Sequence, residues 1–325
     1  MKITSKIALG TVVTLFAFNS AFAIHAHDSG EIKVIDNSDV GLSFRATLSS
    51  VEGQGDEYVY NGDNDPSLSS GYKVSELNWD ISSLWMLGGE ASLQLGQYIR
   101  FNAGMWVGIT DGDGQMEDYD WMEPSISDWT HYSESEIDID SAISMDMNAS
   151  LQFIELGACK LHAMLGYKVD YWEWSAYGGH YIYSQNGFRD STGSFGNVHG
   201  IDYNQTFDMF YAGLKATLDS SSLHASAYVK YSPFVNAEDE DDHLMRDLHF
   251  TEDFDGGDFY AVGGEATIDL TETIFATVAV DWQDIPEFTG DMSVRSGSGP
   301  VQTSKDAAGI GNSVTAISAS VGLKF

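Results

Sequence analysis

Hydrophobic and polar residues alternate along most of the chain. In the last segment, 317–325, apolar residues hold the odd positions, and serine, glycine and lysine hold the even ones. The same period of two recurs upstream, for example over 223–231, 260–270 and 274–282. Successive side chains of a strand point to opposite faces, so this period predicts β-strands with one apolar face.

Counting these segments predicts about ten strands, an even number that places both chain ends on the same side of a closed sheet. We predict them at residues 39–51, 73–87, 91–110, 139–155, 158–177, 204–218, 222–234, 258–270, 273–284 and 313–325.

Alternation alone is equally compatible with a soluble β-sandwich, but two features favour an outer-membrane barrel. Arg45, Lys230 and Glu265 lie on the polar faces of long strands, as expected where the interior is polar and the outside is lipid. Short turns also alternate with predicted long loops, at 52–72, 111–138, 178–203, 235–257 and 284–312. We therefore predict an all-β fold, a ten-stranded antiparallel transmembrane β-barrel with long extracellular loops. Side chains largely fill the interior of so small a barrel, so we do not expect a transport pore.

The N-terminus has the pattern of a secretory signal peptide. Lys2 and Lys6 precede an apolar run, 7–18, and Ala21-Phe22-Ala23 forms a small-x-small cleavage site. We predict a signal peptide over residues 1–23 and a single barrel domain over 24–325.

Charge and cysteine content exclude several classes of partner and site. The formal net charge is -34, which argues against nucleic-acid binding and favours cationic partners. Cys159 is the one cysteine, so the chain forms no internal disulfide and no zinc site built on several thiolates.

Two pairs of residues share a spacing that places both side chains on one face of an extended segment. They are Asp118 with Asp120, and Asp241 with His243 at the end of the acidic run 238–243. We place both pairs in loops that could face each other over the barrel mouth. An Asp–His pair can deprotonate water, and two close carboxyls that share a proton can hold that water or donate to an oxyanion.

Two other readings of these pairs stay open on spacing alone. Carboxylates and imidazole also suit a divalent metal ion, although the EF-hand pattern is missing. Acidic runs are, in addition, often solvated loop charges without a further role. The Gly-x-Ser-x-Gly motif of serine hydrolases does not occur.

Longer motifs in the predicted loops carry a family resemblance. They include Asp-x-Asp-Trp-Met from Asp118, Gly-Gly-x-Tyr-Ile-Tyr-Ser from Gly178, Gly-Phe-Arg-Asp from Gly187, and Asp-x-Asp-x-His from Asp239. With these motifs in order, the chain resembles the omptin family of outer-membrane proteases of Gram-negative bacteria over residues 40–325.

The resemblance implies an endopeptidase that cuts peptides and proteins at Arg or Lys, with its active site facing outside the cell. It assigns catalysis to Asp118, Asp120, Asp241 and His243, with His243 as the base that activates water and without a metal or another cofactor. It also assigns Glu57 and Asp239 to the pocket for the residue before the cut. We expect a monomer embedded in outer-membrane lipid. The alternative is an omptin-like barrel without activity that binds cationic ligands.

This chain departs from the family pattern at two sites. His131 follows Trp129-Thr130 where typical members carry an acid that helps select the residue after the cut, so preference for a second basic residue there is in doubt. Omptins usually need bound lipopolysaccharide as an activator, held by basic residues. The aligned positions here are Val169, Tyr171, Thr206 and Asp255, so we expect a weaker or differently built dependence.

Overall fold

The computed structural model describes residues 40–62 and 66–325, so the predicted signal peptide lies outside the described residues. Within the described part, no helix is long and apolar enough to cross a membrane. The strands are β1 (Val40–Tyr60), β2 (Lys73–Leu95), β3 (Ile99–Gly108), β4 (Gln115–Asp120), β5 (His131–Leu156), β6 (Cys159–Tyr183), β7 (Ser191–Ser194), β8 (His199–Asp219), β9 (Leu223–His243), β10 (Leu248–Asp269), β11 (Ile274–Ser296) and β12 (Gln302–Lys324).

These strands pair into a closed antiparallel ring with ten positions. β1 pairs with both β2 and β12, which joins the two ends of the sheet. β3 and β4 each pair with β2 and β5, so they occupy one position as two pieces of an interrupted strand. β7 adds to β6 as a short extra strand. The predicted ten-stranded all-β architecture is confirmed.

The strands extend well beyond the predicted boundaries, and most of the predicted long loops are strand. The acidic run 238–243 lies on β9, and only residues 244–247 form the turn to β10. Our placement of the run, and of Asp118 and Asp120, in loops was therefore wrong. Above the lipid-facing part both faces of a strand are polar, so the alternating pattern fades although backbone pairing continues.

The boundary between the second and third predicted strands was also wrong. The predicted strands 73–87 and 91–110 leave Gly88 and Gly89 between them, whereas β2 continues to Leu95. The glycines make room for a large ring inside the barrel. A Cβ atom on Gly88 would lie 2.0 Å from Trp106 Cδ1, and one on Gly104 would lie 2.5 Å from the Cη2 of the same ring.

The half of the barrel with the short turns is apolar outside and charged inside. Phe210, Leu165 and Ile317 are among the outward side chains there and are 70%, 70% and 66% exposed, as suits contact with lipid. Inside, Arg45 bonds Glu265 at 2.7 Å and borders a cavity of about 1060 Å³. This lower half is the membrane-spanning part.

Three aromatic residues pack against one another above that cavity, and we call Trp79, Trp174 and Tyr203 the aromatic floor. Trp174 also stacks on Trp172, which lines the cavity. The ring centroids of the three floor residues lie 4.9–5.9 Å apart, and each is fully buried. Gln205 spans the barrel beside them, because its Nε2 donates to Asp56 O at 3.0 Å and to the Tyr203 hydroxyl at 2.9 Å. The floor separates the lower cavity from the groove above it.

Candidate active site

The Asp241–His243 pair lies on β9 at the top of the barrel interior. His243 Nε2 is 2.6 Å from Asp241 Oδ2, and Asp241 is only 2% exposed. The ring of Phe250 packs edge-on against the imidazole, with centroids 5.5 Å apart. The carboxylate and the aromatic ring together fix the orientation of the imidazole. This is the arrangement that a general base requires.

The second pair, Asp118 and Asp120, lies on the short strand β4. Ser75 Oγ on β2 donates to Asp118 Oδ1 at 3.1 Å. Loss of hydration raises the pKa of Asp118 to about 8, and repulsion from Asp120 adds to the effect. Burial also raises the pKa of Asp120, while the charges of nearby histidines oppose the rise. The two carboxyls can thus share one proton near neutral pH.

The structure brings both pairs to one groove, although β4 and β9 are far apart in the chain. The charge of Asp241 acts on Asp118, and that of His243 acts on Asp120. A small polar molecule between them could contact a base on one side and a proton-sharing couple on the other. The geometry is suited to activating water.

Arg246, in the turn after β9, is a groove residue that sequence reasoning missed. Its guanidinium contacts His243 Nδ1, and its charge lowers the pKa of Asp118 and of Asp120. A base role for Nδ1 would require this contact to break first. The only signal in the sequence is a basic residue three positions after His243.

A pocket of buried acids adjoins the Asp241–His243 pair. Glu57 on β1 and Asp239 on β9 are each 2% exposed, and each has one carboxyl oxygen without a hydrogen-bond partner. The Tyr203 hydroxyl donates to the other oxygen of Asp239 at 3.1 Å. Loss of hydration raises the pKa of Asp239 to about 8 and that of Glu57 well above its usual range. No ion pair among the described residues involves either acid.

The alternate residues of the acidic run point away from this pocket, as the period of two predicts. Glu240 is exposed, and Asp242 bonds His249 of β10 at 2.6 Å on the outer side.

Glu252 on β10 is a third pocket acid that sequence reasoning also missed. It lies directly opposite Asp239 across the β9–β10 pair, and it is 2% exposed. Burial raises its pKa well above the usual range, with repulsion from Asp239 and Glu57 adding to the effect. Only the register of the two strands reveals this position.

His131 begins β5 and lies opposite Asp120, outside the buried acid pocket. Its ring packs on Tyr183 with centroids 4.9 Å apart, and its Nδ1 is 3.1 Å from Thr130 Oγ1. It therefore borders the groove on the side of the aspartate couple.

The described ranges show no set of metal-ion ligands, and two positions that the family resemblance links to lipopolysaccharide are uncharged. No group of three or more His, Cys, Asp or Glu side chains there is arranged to hold a metal ion. Tyr171 and Thr206, two of the positions aligned with lipid-binding basic residues, pair across β6 and β8 and carry no positive charge.

Comparison with known proteins gives the family. The sequence profile described as "Omptin family" matches residues 38–325. The chain belongs to the omptin family. The crystal structure of the outer membrane protease OmpT from Escherichia coli matches this omptin with a TM-score of 0.83 at 26% identity. That match covers 90% of this chain and 99% of OmpT.

Sequence relatives carry protease names. The plasminogen activator of Yersinia pestis is 30% identical over 285 residues, covering 86% of this omptin and 88% of the relative. The outer membrane protease OmpP of Escherichia coli K12 is 28% identical over 257 residues, covering 78% and 80%. This omptin is thus an outer-membrane protein of Gram-negative bacteria, and its family membership supports a peptidase function on peptides or proteins.

Proposed function

We propose that this omptin is an endopeptidase that cuts next to basic residues, using water activated between Asp241–His243 and Asp118–Asp120. One observation carries the proposal: buried carboxyls with unpartnered oxygens adjoin an oriented Asp–His pair. Buried charges normally have a partner, so we infer that the pocket is built for a cation that the described residues do not supply.

In the proposed reaction, His243 takes a proton from water while Asp241 stabilises the imidazolium that forms. The resulting hydroxide attacks the carbonyl carbon of the peptide bond. The Asp118–Asp120 couple, holding one proton, positions the water and donates to the developing oxyanion. That proton or the one on His243 then reaches the leaving amine. The scheme uses only side chains of this chain and needs no metal ion.

The proposed specificity follows from the pocket of Glu57 and Asp239. An Arg or Lys side chain before the cut supplies the missing positive charge, whereas a neutral one leaves buried carboxylates unpaired. After the cut, His131 offers no fixed negative charge next to the aspartate couple. We therefore expect little preference for a second basic residue there.

Cleavage of a quenched Arg-containing peptide tests the catalytic roles. Asp241→Ala and His243→Ala should lower kcat by roughly 10²- to 10⁴-fold, the usual contribution of a positioned acid or base. Glu240→Gln, on the exposed face of the same strand, is the matched control and should retain activity. Equal rates in all four proteins would refute the catalytic assignment, and no cleavage by wild type would leave a barrel that only binds cationic ligands.

Chelation separates the water mechanism from a metal-dependent hydrolase. Activity should survive extensive dialysis against a chelator, since no metal takes part in the proposed steps. Loss of cleavage, restored by adding a divalent ion, would replace the proposal with metal-assisted hydrolysis.

Lipopolysaccharide dependence is testable on refolded protein free of lipid A. Because the aligned positions include no basic residue, we expect substantial activity before lipopolysaccharide is added. An absolute requirement would show that this omptin holds the lipid with other groups.

A further inference from the structure

Glu252 has an environment that a structural role does not explain. Both of its carboxyl oxygens are buried and receive no N–H or hydroxyl donor, and no ion pair of the described residues reaches it. Its one polar partner among those residues is the carboxyl of Asp239, with which it can share a proton. A buried acid that only supported the fold would normally find a donor or a cation, because leaving a carboxyl unsatisfied is costly. The neighbouring acidic residue, Asp253, is exposed on the other face of β10 and has no such cost.

The position of Glu252 places it in the proposed specificity pocket. It pairs in register with Asp239, the charges of Asp239 and Glu57 act on it, and its own charge acts on the Tyr203 hydroxyl. Three carboxyls from β1, β9 and β10 therefore converge above the aromatic floor. Apart from a proton that Asp239 and Glu252 can share, four of their oxygens find no donor among the described residues: one each from Glu57 and Asp239, and both from Glu252.

The number and spread of these acceptors bear on which cation fits. A lysine ammonium is a compact charge with three donors, and the two acids Glu57 and Asp239 could satisfy it. An arginine guanidinium presents five N–H donors in a planar fork, and it needs acceptors on more than one side. The third carboxyl supplies oxygens that only the larger, forked group can use together with the other two.

We propose that Glu252 is a specificity-determining residue that makes this omptin select arginine over lysine before the cut. The inference rests on the proposed function, since it assigns the acid pocket to the residue before the scissile bond. It adds a third carboxyl to the two acids that the family resemblance assigns there.

The test compares two quenched peptides that differ only by Arg or Lys before the cut. Wild type should cleave the Arg peptide with a kcat/KM about tenfold or more above that of the Lys peptide, as charged hydrogen bonds predict. Glu252→Gln keeps the size of the side chain but removes its charge. It should lower kcat/KM for the Arg peptide about tenfold or more and that for the Lys peptide much less. Asp253→Asn is the matched control and should leave the ratio unchanged.

Binding to the His243→Ala background separates this inference from the proposed function. The same two peptides, labelled for fluorescence anisotropy, should bind with an Arg preference that the added Glu252→Gln substitution removes. Arg-selective binding without cleavage in wild type would refute the protease role and support the pocket. Cleavage with an Arg-to-Lys ratio that Glu252→Gln leaves unchanged would refute the role of Glu252 alone. Neither binding nor cleavage of either peptide would overturn both.

Discussion

Below the aromatic floor most interior charges of this omptin are paired, whereas above it three buried acids have no cationic partner among the described residues. Within the described ranges, six Lys and Arg residues form ion pairs in or at the mouth of the lower half. They are Arg45, Lys160, Lys168, Lys215, Lys230 and Lys324. None of these ion pairs involves Glu57, Asp239 or Glu252. Basic partners are scarce, because the chain has 49 acids and only 15 Lys and Arg residues.

The contrast shows how charged residues that stabilise the barrel can be told apart from charged residues that bind a ligand. Paired charges in the lower half satisfy each other and fix the packing of the lumen. Unpaired acids in the upper half destabilise the free protein and gain a partner only when a cationic ligand enters. Functional sites commonly break the rules that the rest of a fold obeys. Removing a charge should therefore have opposite effects on stability in the two halves.

The largest expected effect is a loss of stability on breaking a lower pair. Lys168 Nζ donates to Asp170 Oδ1 at 2.6 Å, and Asp170 is 1% exposed. Lys168→Met leaves Asp170 with Gln283 as its remaining donor and should lower the free energy of unfolding by about 3 kcal/mol. Urea unfolding in detergent micelles measures it. Lys305→Met, at an exposed position, is the control. An equal loss of unfolding free energy in the two variants would contradict a special stabilising role for the paired charges of the lower half.

A smaller effect of opposite sign is expected on neutralising an upper acid. The pKa of Asp239 is about 8 in the folded protein because of burial, and about 3.9 in the unfolded chain. Between these values folding takes up a proton, so stability falls as pH rises through this window. Asp239→Asn removes the penalty and should raise the free energy of unfolding by roughly 1–3 kcal/mol at pH 8, with almost no gain at pH 4.

Urea unfolding of Asp239→Asn at both pH values, beside Glu240→Gln from the exposed face of the strand, checks this expectation. The gain in stability should accompany a loss of cleavage of Arg peptides. A destabilised variant at pH 8 would mean that Asp239 is already compensated in the free protein.

The smallest expected effect concerns the hydrogen bond between Tyr203 of the aromatic floor and Asp239 of the pocket. Tyr203→Phe keeps the aromatic stack but removes the hydroxyl that donates to Asp239 Oδ2. The ionised carboxylate loses one stabilising bond, so KM for an Arg peptide should rise about fivefold while kcat changes little. Tyr231→Phe removes an outward-facing hydroxyl that donates to half-buried Asp258 and should change neither constant. A fall in kcat alone would instead connect Tyr203 with the chemical step.

The sequence predicted the lower half well, because lipid outside and polar groups inside impose a strict period of two. The sequence-based prediction failed above the membrane. There, the part of β9 after Val235 contains the acidic run, which resembles a loop in the sequence. Asp118, Asp120, Asp241 and His243 could still be paired from sequence, since residues two apart face the same way in any extended segment. That argument finds partners on one strand only.

Partners on different strands depend on register, which no local pattern of this chain reveals. Glu252 lies in the segment 250–254, and nothing in the sequence distinguishes it from an ordinary solvated acid. The four-residue turn at 244–247 sets the β9–β10 register and thereby places Glu252 against Asp239. Arg246 likewise reaches His243 only because that turn is tight.

The aromatic floor also decides which solution sets the protonation of the groove. Trp79, Trp174 and Tyr203 are fully buried beneath the acids of the pocket. We therefore expect the protons that charge or discharge the pocket to arrive from the medium above the groove and not through the lumen. The protonation of these acids should then follow the pH outside the cell. Binding of cations in the pocket should depend on that pH more than on the pH of the compartment beneath the membrane.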